Sequence, residues 1–87
     1  MNKVVEIEVL DDKNILVHFE DGESKIINFQ PFIGQGLSAP LSDPEYFKKV
    51  CIDNGGGVEW PNGFDFCPNF LKDLVPNDKV IYNTVQE

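Results

Sequence analysis

Arginine is absent from the 87-residue chain, whose seven cations are all lysines set against fifteen acids, for a net charge of −8. Nucleic-acid backbones are bound by clustered Lys and Arg that displace counterions, and guanine is read best by a bidentate Arg. Here the lysines at 3, 13, 25, 48, 49, 72 and 79 are scattered, with only Lys48 and Lys49 adjacent, so direct nucleic-acid binding is not expected. An acidic surface instead favours a basic protein partner through long-range attraction, or simply keeps the chain dissolved. Histidine is nearly absent as well: His18 stands alone beside two cysteines, Cys51 and Cys67. That inventory falls short of a four-ligand zinc site, so neither a metal nor a cofactor is expected. The two cysteines read as buried free thiols, acting as small hydrophobes in a reducing compartment. No apolar run approaches the ~20 residues needed to cross a bilayer. Acidic residues also interrupt the N-terminus before a signal-peptide core could form, and the expected setting is the cytoplasm.

Catalytic sets are equally scarce. No Ser-His-Asp order is present, and Gly55-Gly56-Gly57 lacks the Lys-Ser/Thr that a phosphate-cradling loop requires. Glu59 and Asp65 are carboxylates close together beside an aromatic residue, Trp60, as general acid–base work would require. Proximity along the chain does not make them a catalytic pair, and no enzyme activity is expected. His18 reads as a surface or boundary residue of a strand.

Alternation carries the N-terminal half. Val5, Ile7 and Val9 alternate with Glu6 and Glu8, which predicts a half-buried strand ending at the polar turn Asp11-Asp12-Lys13-Asn14. Ile15, Val17 and Phe19 then alternate with Leu16, His18 and Glu20. Asp21 and Gly22 supply the residues of a two-residue type I′ hairpin turn. That loop would set Glu20 opposite Glu23, Phe19 opposite Ser24, His18 opposite Lys25, Val17 opposite Ile26 and Leu16 opposite Ile27. Residues 30–40, rich in Gly and Pro, read as a loop with one 3₁₀ turn at Pro31. A short helix opens at Ser42-Asp43-Pro44-Glu45, capped either by Ser42 or by Asp43, with Pro44 then at the first helical position. Val50, Ile52, Val58 and Trp60 bracket Asn54 and the turn glycines Gly55 and Gly56, a second hairpin. A last helix runs from Cys67-Pro68 to Leu74 and stops at Val75-Pro76. The fold class is therefore α+β: antiparallel hairpins of about five strands packed with two short helices. Residues 1–76 form one domain, and residues 77–87 an extension that is either an edge strand over 80–85 or a flexible tail.

Phe19-Glu20-Asp21-Gly22-Glu23, then Leu41-Ser42-Asp43 with Phe47, then Glu59-Trp60-Pro61-Asn62-Gly63 with Asp65 and Leu71, occur in order. Together they resemble the bacterial family called domain of unknown function 2442, over residues 4 to about 75. The resemblance implies a small α+β domain, sometimes followed in longer relatives by a helix-turn-helix, and often encoded beside another small protein in what looks like a toxin–antitoxin arrangement. No helix-turn-helix is readable in residues 76–87.

The contact surface expected under an interaction role is Trp60, Pro61, Asn62, Gly63 and Asp65. Each has a plainer reading: Trp60 as core, Asn62-Gly63 as a chain-reversing turn, Asp65 as the cap of the last helix. The function expected is that of an acidic interaction module, antitoxin-like, with a basic protein partner. Alternatives are an accessory domain working through a helix-turn-helix protein, or a small-molecule sensor with a pocket beneath the 30–40 loop. A homodimer through an edge strand, at 4–10 or 80–85, is also open.

Overall fold

The computed structural model describes residues 2–11 and 13–74. The alternating segments pair as a meander of β1 (Val4–Asp11), β2 (Asn14–Phe19) and β3 (Ser24–Asn28), each antiparallel to its neighbour. Ile15, Val17 and Phe19 of β2 and Ile27 of β3 are buried on the inner face, with Ile7 and Val9 of β1 packed against them. Twice the register of β1 slips against β2, between Val4 and Glu6 and between Val9 and Asp11. Val5 lies at the first slip and is 58% exposed.

The hairpin between β2 and β3 corrects the expected register. Phe19 N–H donates to the Glu23 carbonyl (2.8 Å) and Gly22 N–H to the Phe19 carbonyl (3.0 Å), closing a three-residue loop. Only Gly22 has a positive φ, at 95°. A type I turn followed by one left-handed glycine needs a single such residue, whereas a type I′ turn would force Asp21 into that region as well. The Asp21 carboxylate instead accepts the Glu23 N–H at 2.9 Å. The observed pairs are His18 with Ser24, Val17 with Lys25, Leu16 with Ile26 and Ile15 with Ile27. A one-residue shift in register changes every cross-strand neighbour, and here it seats Lys25 on the inner side, 7% exposed, opposite Val17.

The same turn recurs twice. Asp53 N–H donates to the Gly57 carbonyl (3.0 Å) and Gly56 N–H to the Asp53 carbonyl (3.1 Å), with Gly56 at φ 89°. Trp60 N–H donates to the Phe64 carbonyl (2.9 Å) and Gly63 N–H to the Trp60 carbonyl (2.9 Å), with Gly63 at φ 93°. These two turns connect β4 (Cys51–Ile52), β5 (Val58–Glu59) and β6 (Asp65–Phe66) into a second antiparallel meander. The fold therefore has six strands among the described residues instead of about five, the addition being β6. Asp65 lies in β6, so it does not cap the last helix; the residue at that cap is Cys67.

Two 3₁₀ turns, Gln30–Phe32 and Gly36–Ser42, fill the segment expected to hold one. Helix α1 (Pro44–Phe47) has Asp43 as its cap, accepting the Glu45 N–H at 3.2 Å, with Pro44 at the first position. Ser42 turns away and donates to the Ala39 carbonyl at 3.0 Å. Helix α2 (Pro68–Asp73) places Leu71 in the core and leaves Phe70 42% exposed. The extension over 77–87 and its edge strand at 80–85 lie outside the described residues.

Both sheets and both helices meet on an aromatic cluster. Phe29 lies edge-on to Phe66 (5.1 Å), Trp60 (5.8 Å) and Phe47 (6.3 Å) between ring centroids. Such tilted pairs contribute beyond the area they bury. Val4 N–H donates to the Gly56 carbonyl at 2.8 Å, tying the first sheet to the second hairpin.

Gly57 marks the tightest approach, since a Cβ there would stand 2.1 Å from the Phe66 carbonyl oxygen. Gly57→Ala should therefore destabilise the fold by about 1–3 kcal/mol, as overpacking against backbone does. Gly34, where a Cβ meets nothing within 4 Å, should accept alanine with no loss. Urea denaturation of the two variants checks the contrast.

Candidate functional site

The turn over residues 60–65 is built from beneath. Trp60 is 1% exposed, and its Nε1 donates to the Phe47 carbonyl at 2.9 Å. The indole is thus satisfied inside the core, and its side chain presents no surface to a partner; a contact at this turn falls to its neighbours. Asn62 is committed in three directions. Its N–H donates to the Tyr46 hydroxyl (2.9 Å), its Nδ2 to the Leu37 carbonyl (2.8 Å), and its Oδ1 accepts the Phe64 N–H (3.1 Å). These bonds fasten the turn to α1 and to the second 3₁₀ turn. Asn62 and Gly63 therefore re-aim the chain, and Pro61, Gly63 and Asp65 remain exposed, as does Leu37, 55% exposed, whose carbonyl Asn62 holds.

Asp65 stands directly across from Glu59 in the β5–β6 pair. Directly opposed residues share one face of a sheet, and like charges there repel. No cation among the described residues pairs with either carboxylate. Among the described residues, Lys13, Lys25 and Lys72 are drawn into the fold.

Lys25 reaches across from β3 to the C-terminal end of α2. Its Nζ donates to the carbonyls of Leu71 (3.2 Å), Lys72 and Leu74 (2.8 Å). An ammonium has three N–H donors and no acceptor, so these carbonyls satisfy it completely, and positive charge at a helix C-terminus is favoured by the helix dipole. Lys72 in turn donates to Asp21 and Glu23, both at 2.6 Å, and lies over the Phe19 ring at 4.5 Å. The hydrogen bond from Lys72, helped by the Glu23 N–H, holds the Asp21 carboxyl below the usual aspartate range. Hydrogen bonds to Asp21 and Glu23 raise Lys72 above the usual lysine range. The turn glycine that was legible in the sequence thus sits inside a lock that was not: lysine is most often a surface residue, and composition gives no sign of these long-range bonds.

His18 Nδ1 lies 2.6 Å from the Ser24 hydroxyl on the outer face. Both cysteines are free and exposed, contrary to the expectation of buried thiols. Cys51 falls on a two-residue strand with both residues exposed, and Cys67 at the cap position before α2, neither of which faces the core. Among the described residues no group of three His, Cys, Asp or Glu could hold a metal ion, and no helix is long and apolar enough to cross a membrane. A cavity opens between the β1–β2 turn and α1, and none of its lining residues belongs to the 30–40 loop.

The family model described as "Protein of unknown function (DUF2442)" matches residues 4–77. No curated protein and no solved structure matches the chain.

Lys25→Met should loosen α2 and cost about 1.5–3 kcal/mol, the range for hydrogen bonds to a charged group, measurable by urea denaturation. Asp21 adds a pH signature. Because its native pKa is lowered, its contribution is complete above the ordinary aspartate range, declines as pH falls through that range, and is gone below the lowered native value. Asp21→Asn should flatten the acid limb of the stability curve and, because Asp21 is the main group raising Lys72, soften its alkaline limb as well, as urea melts across acid and alkaline pH would record.

Proposed function

The chain belongs to this family of unknown function, and we propose that it is an acidic protein-interaction module that docks a basic partner, in the manner of an antitoxin bound to a neighbouring small bacterial protein. The observation that carries this reading is the Glu59–Asp65 pair, two carboxylates opposed across adjacent strands with no cation among the described residues. Such an arrangement works against stability, and a cationic group from a partner would relieve it. Net charge supports the same polarity: −8 overall, with three of the seven lysines turned to internal bonds or rings. Beside the acidic pair, Pro61 and Gly63 project on a turn fixed by Tyr46 and Leu37. A rigid backbone with an exposed apolar margin lowers the entropy lost on docking.

The test is co-elution of the purified protein with the product of the adjacent gene. Complex formation at low salt, weakening as salt rises, is expected; separate elution at low salt would reject the reading. Asp65→Lys sharpens it. Because lysine there faces Glu59, the variant should gain about 0.2–1 kcal/mol of stability from the opposite-charge pair, yet bind the partner more weakly and with a shallower salt dependence. A variant that is more stable and binds equally well would remove the acidic pair from the interface.

A further inference from the structure

Two lysines of this fold are drawn inward onto hydrogen-bond acceptors: Lys25 on three carbonyls, Lys72 on two carboxylates. Lys13 differs. It is equally buried, at 7% exposed, and its backbone is left-handed with φ 78°. Its carbonyl accepts the Phe29 N–H at 2.8 Å, which anchors that conformation to the start of the helical segment. A lysine in the left-handed region is disfavoured relative to ordinary backbone. Its ammonium lies over the Phe47 ring, 5.4 Å from the centroid. Among the described residues no carbonyl or carboxylate accepts any of its N–H groups. A ring face offers attraction but no hydrogen-bond acceptor, and an ammonium withdrawn from water is under-satisfied without one.

Lys13 and Phe47 are both walls of the cavity between the β1–β2 turn and α1, whose volume is about 170 Å³. Val9, Leu10 and Pro44 make the rest of its apolar lining, and Lys48, with a side chain 63% exposed, borders it. A dry cavity of roughly 150 Å³ holds a molecule the size of benzene, so this one suits roughly six to nine non-hydrogen atoms. We propose that the cavity binds a small carboxylate with a short apolar body. The carboxylate meets the Lys13 ammonium and, from the mouth, Lys48; the hydrocarbon part lies against Val9, Leu10, Pro44 and Phe47. Charge-assisted bonds of this kind are about twice as strong as neutral ones, and they supply the acceptor that Lys13 lacks among the described residues. Asp11 also lines the cavity, its Oδ1 accepting Asn14 Nδ2 at 3.3 Å. Its charge disfavours dianions and offers an acceptor to an α-ammonium group, so the shared chemistry fits both simple short-chain acids and apolar amino acids. This site lies apart from the Glu59–Asp65 pair and stands or falls independently of the docking role.

Amide-resolved NMR of the full chain, titrated with sodium isovalerate, with leucine and with isovaleramide at constant ionic strength, tests the assignment. Isovalerate or leucine should saturably shift amides in residues 9–13 and 44–48, while the neutral isovaleramide leaves them in place. Tighter binding of leucine identifies an amino acid read by Asp11; tighter binding of isovalerate identifies a simple acid. Lys13→Met, which keeps most of the stem, should weaken the anion by about tenfold or more. Absence of a saturable shift with either carboxylate, equal shifts with isovaleramide, or unchanged affinity in Lys13→Met would overturn the proposal. If Lys13→Met does not fold, the comparison of isovalerate with isovaleramide on the unaltered chain decides alone.

Discussion

The Lys25 ammonium on the carboxyl end of α2 is the contact around which the N-terminal sheet and the C-terminal helix are arranged. Helix α2 has six residues, too few to persist in water on its own, since helices shorter than about 12–15 residues are marginal without tertiary support. Leu71 supplies an apolar anchor and Lys25, 46 positions earlier in the chain, a polar one. Charged hydrogen bonds in a region of low dielectric demand well-defined geometry, so this lysine fixes where α2 ends as well as whether it docks.

That geometry depends on one residue of register. A two-residue loop at Asp21-Gly22 would have paired Lys25 with His18; the three-residue loop pairs it with Val17 on the inner face. Asp21 and Gly22 fit both turn types, and local sequence alone does not separate them. What separates them is distant: Asp21 bonds Lys72 across 51 positions, and Lys25 bonds Leu71 across 46. The alternation of β1 and β2, the start of a helix at Ser42-Asp43-Pro44 with its cap open between Ser42 and Asp43, and the glycine hairpin after Ile52 were all readable, because each rests on neighbours within a few residues. Strand β6 was not, since two residues carry no period, and Asp65 was drawn toward the helix cap by its closeness to Pro68.

The candidate surface shows the same division. That the chain reverses at Asn62-Gly63 was legible from the residue pair, and the structure assigns every polar group of the Asn62 side chain to that reversal. Trp60 offered two readings, and the Phe47 carbonyl accounts for the buried one. The opposition of Glu59 and Asp65 was visible only as nearness in sequence; pairing of β5 with β6 converts it into an electrostatic strain. Lysine burial left no trace in composition, yet it decides how acidic the outer surface is.

The two register slips in β1 have a consequence for the company the protein keeps. β1 is the outer strand of its sheet, and its first N–H is already occupied by Gly56. Kinks near both ends interrupt the outer row of backbone groups, and irregularity of that kind is how natural sheets discourage lateral growth. An extended chain approaching that edge meets a rail broken near both ends, one of the breaks lying at the open side chain of Val5.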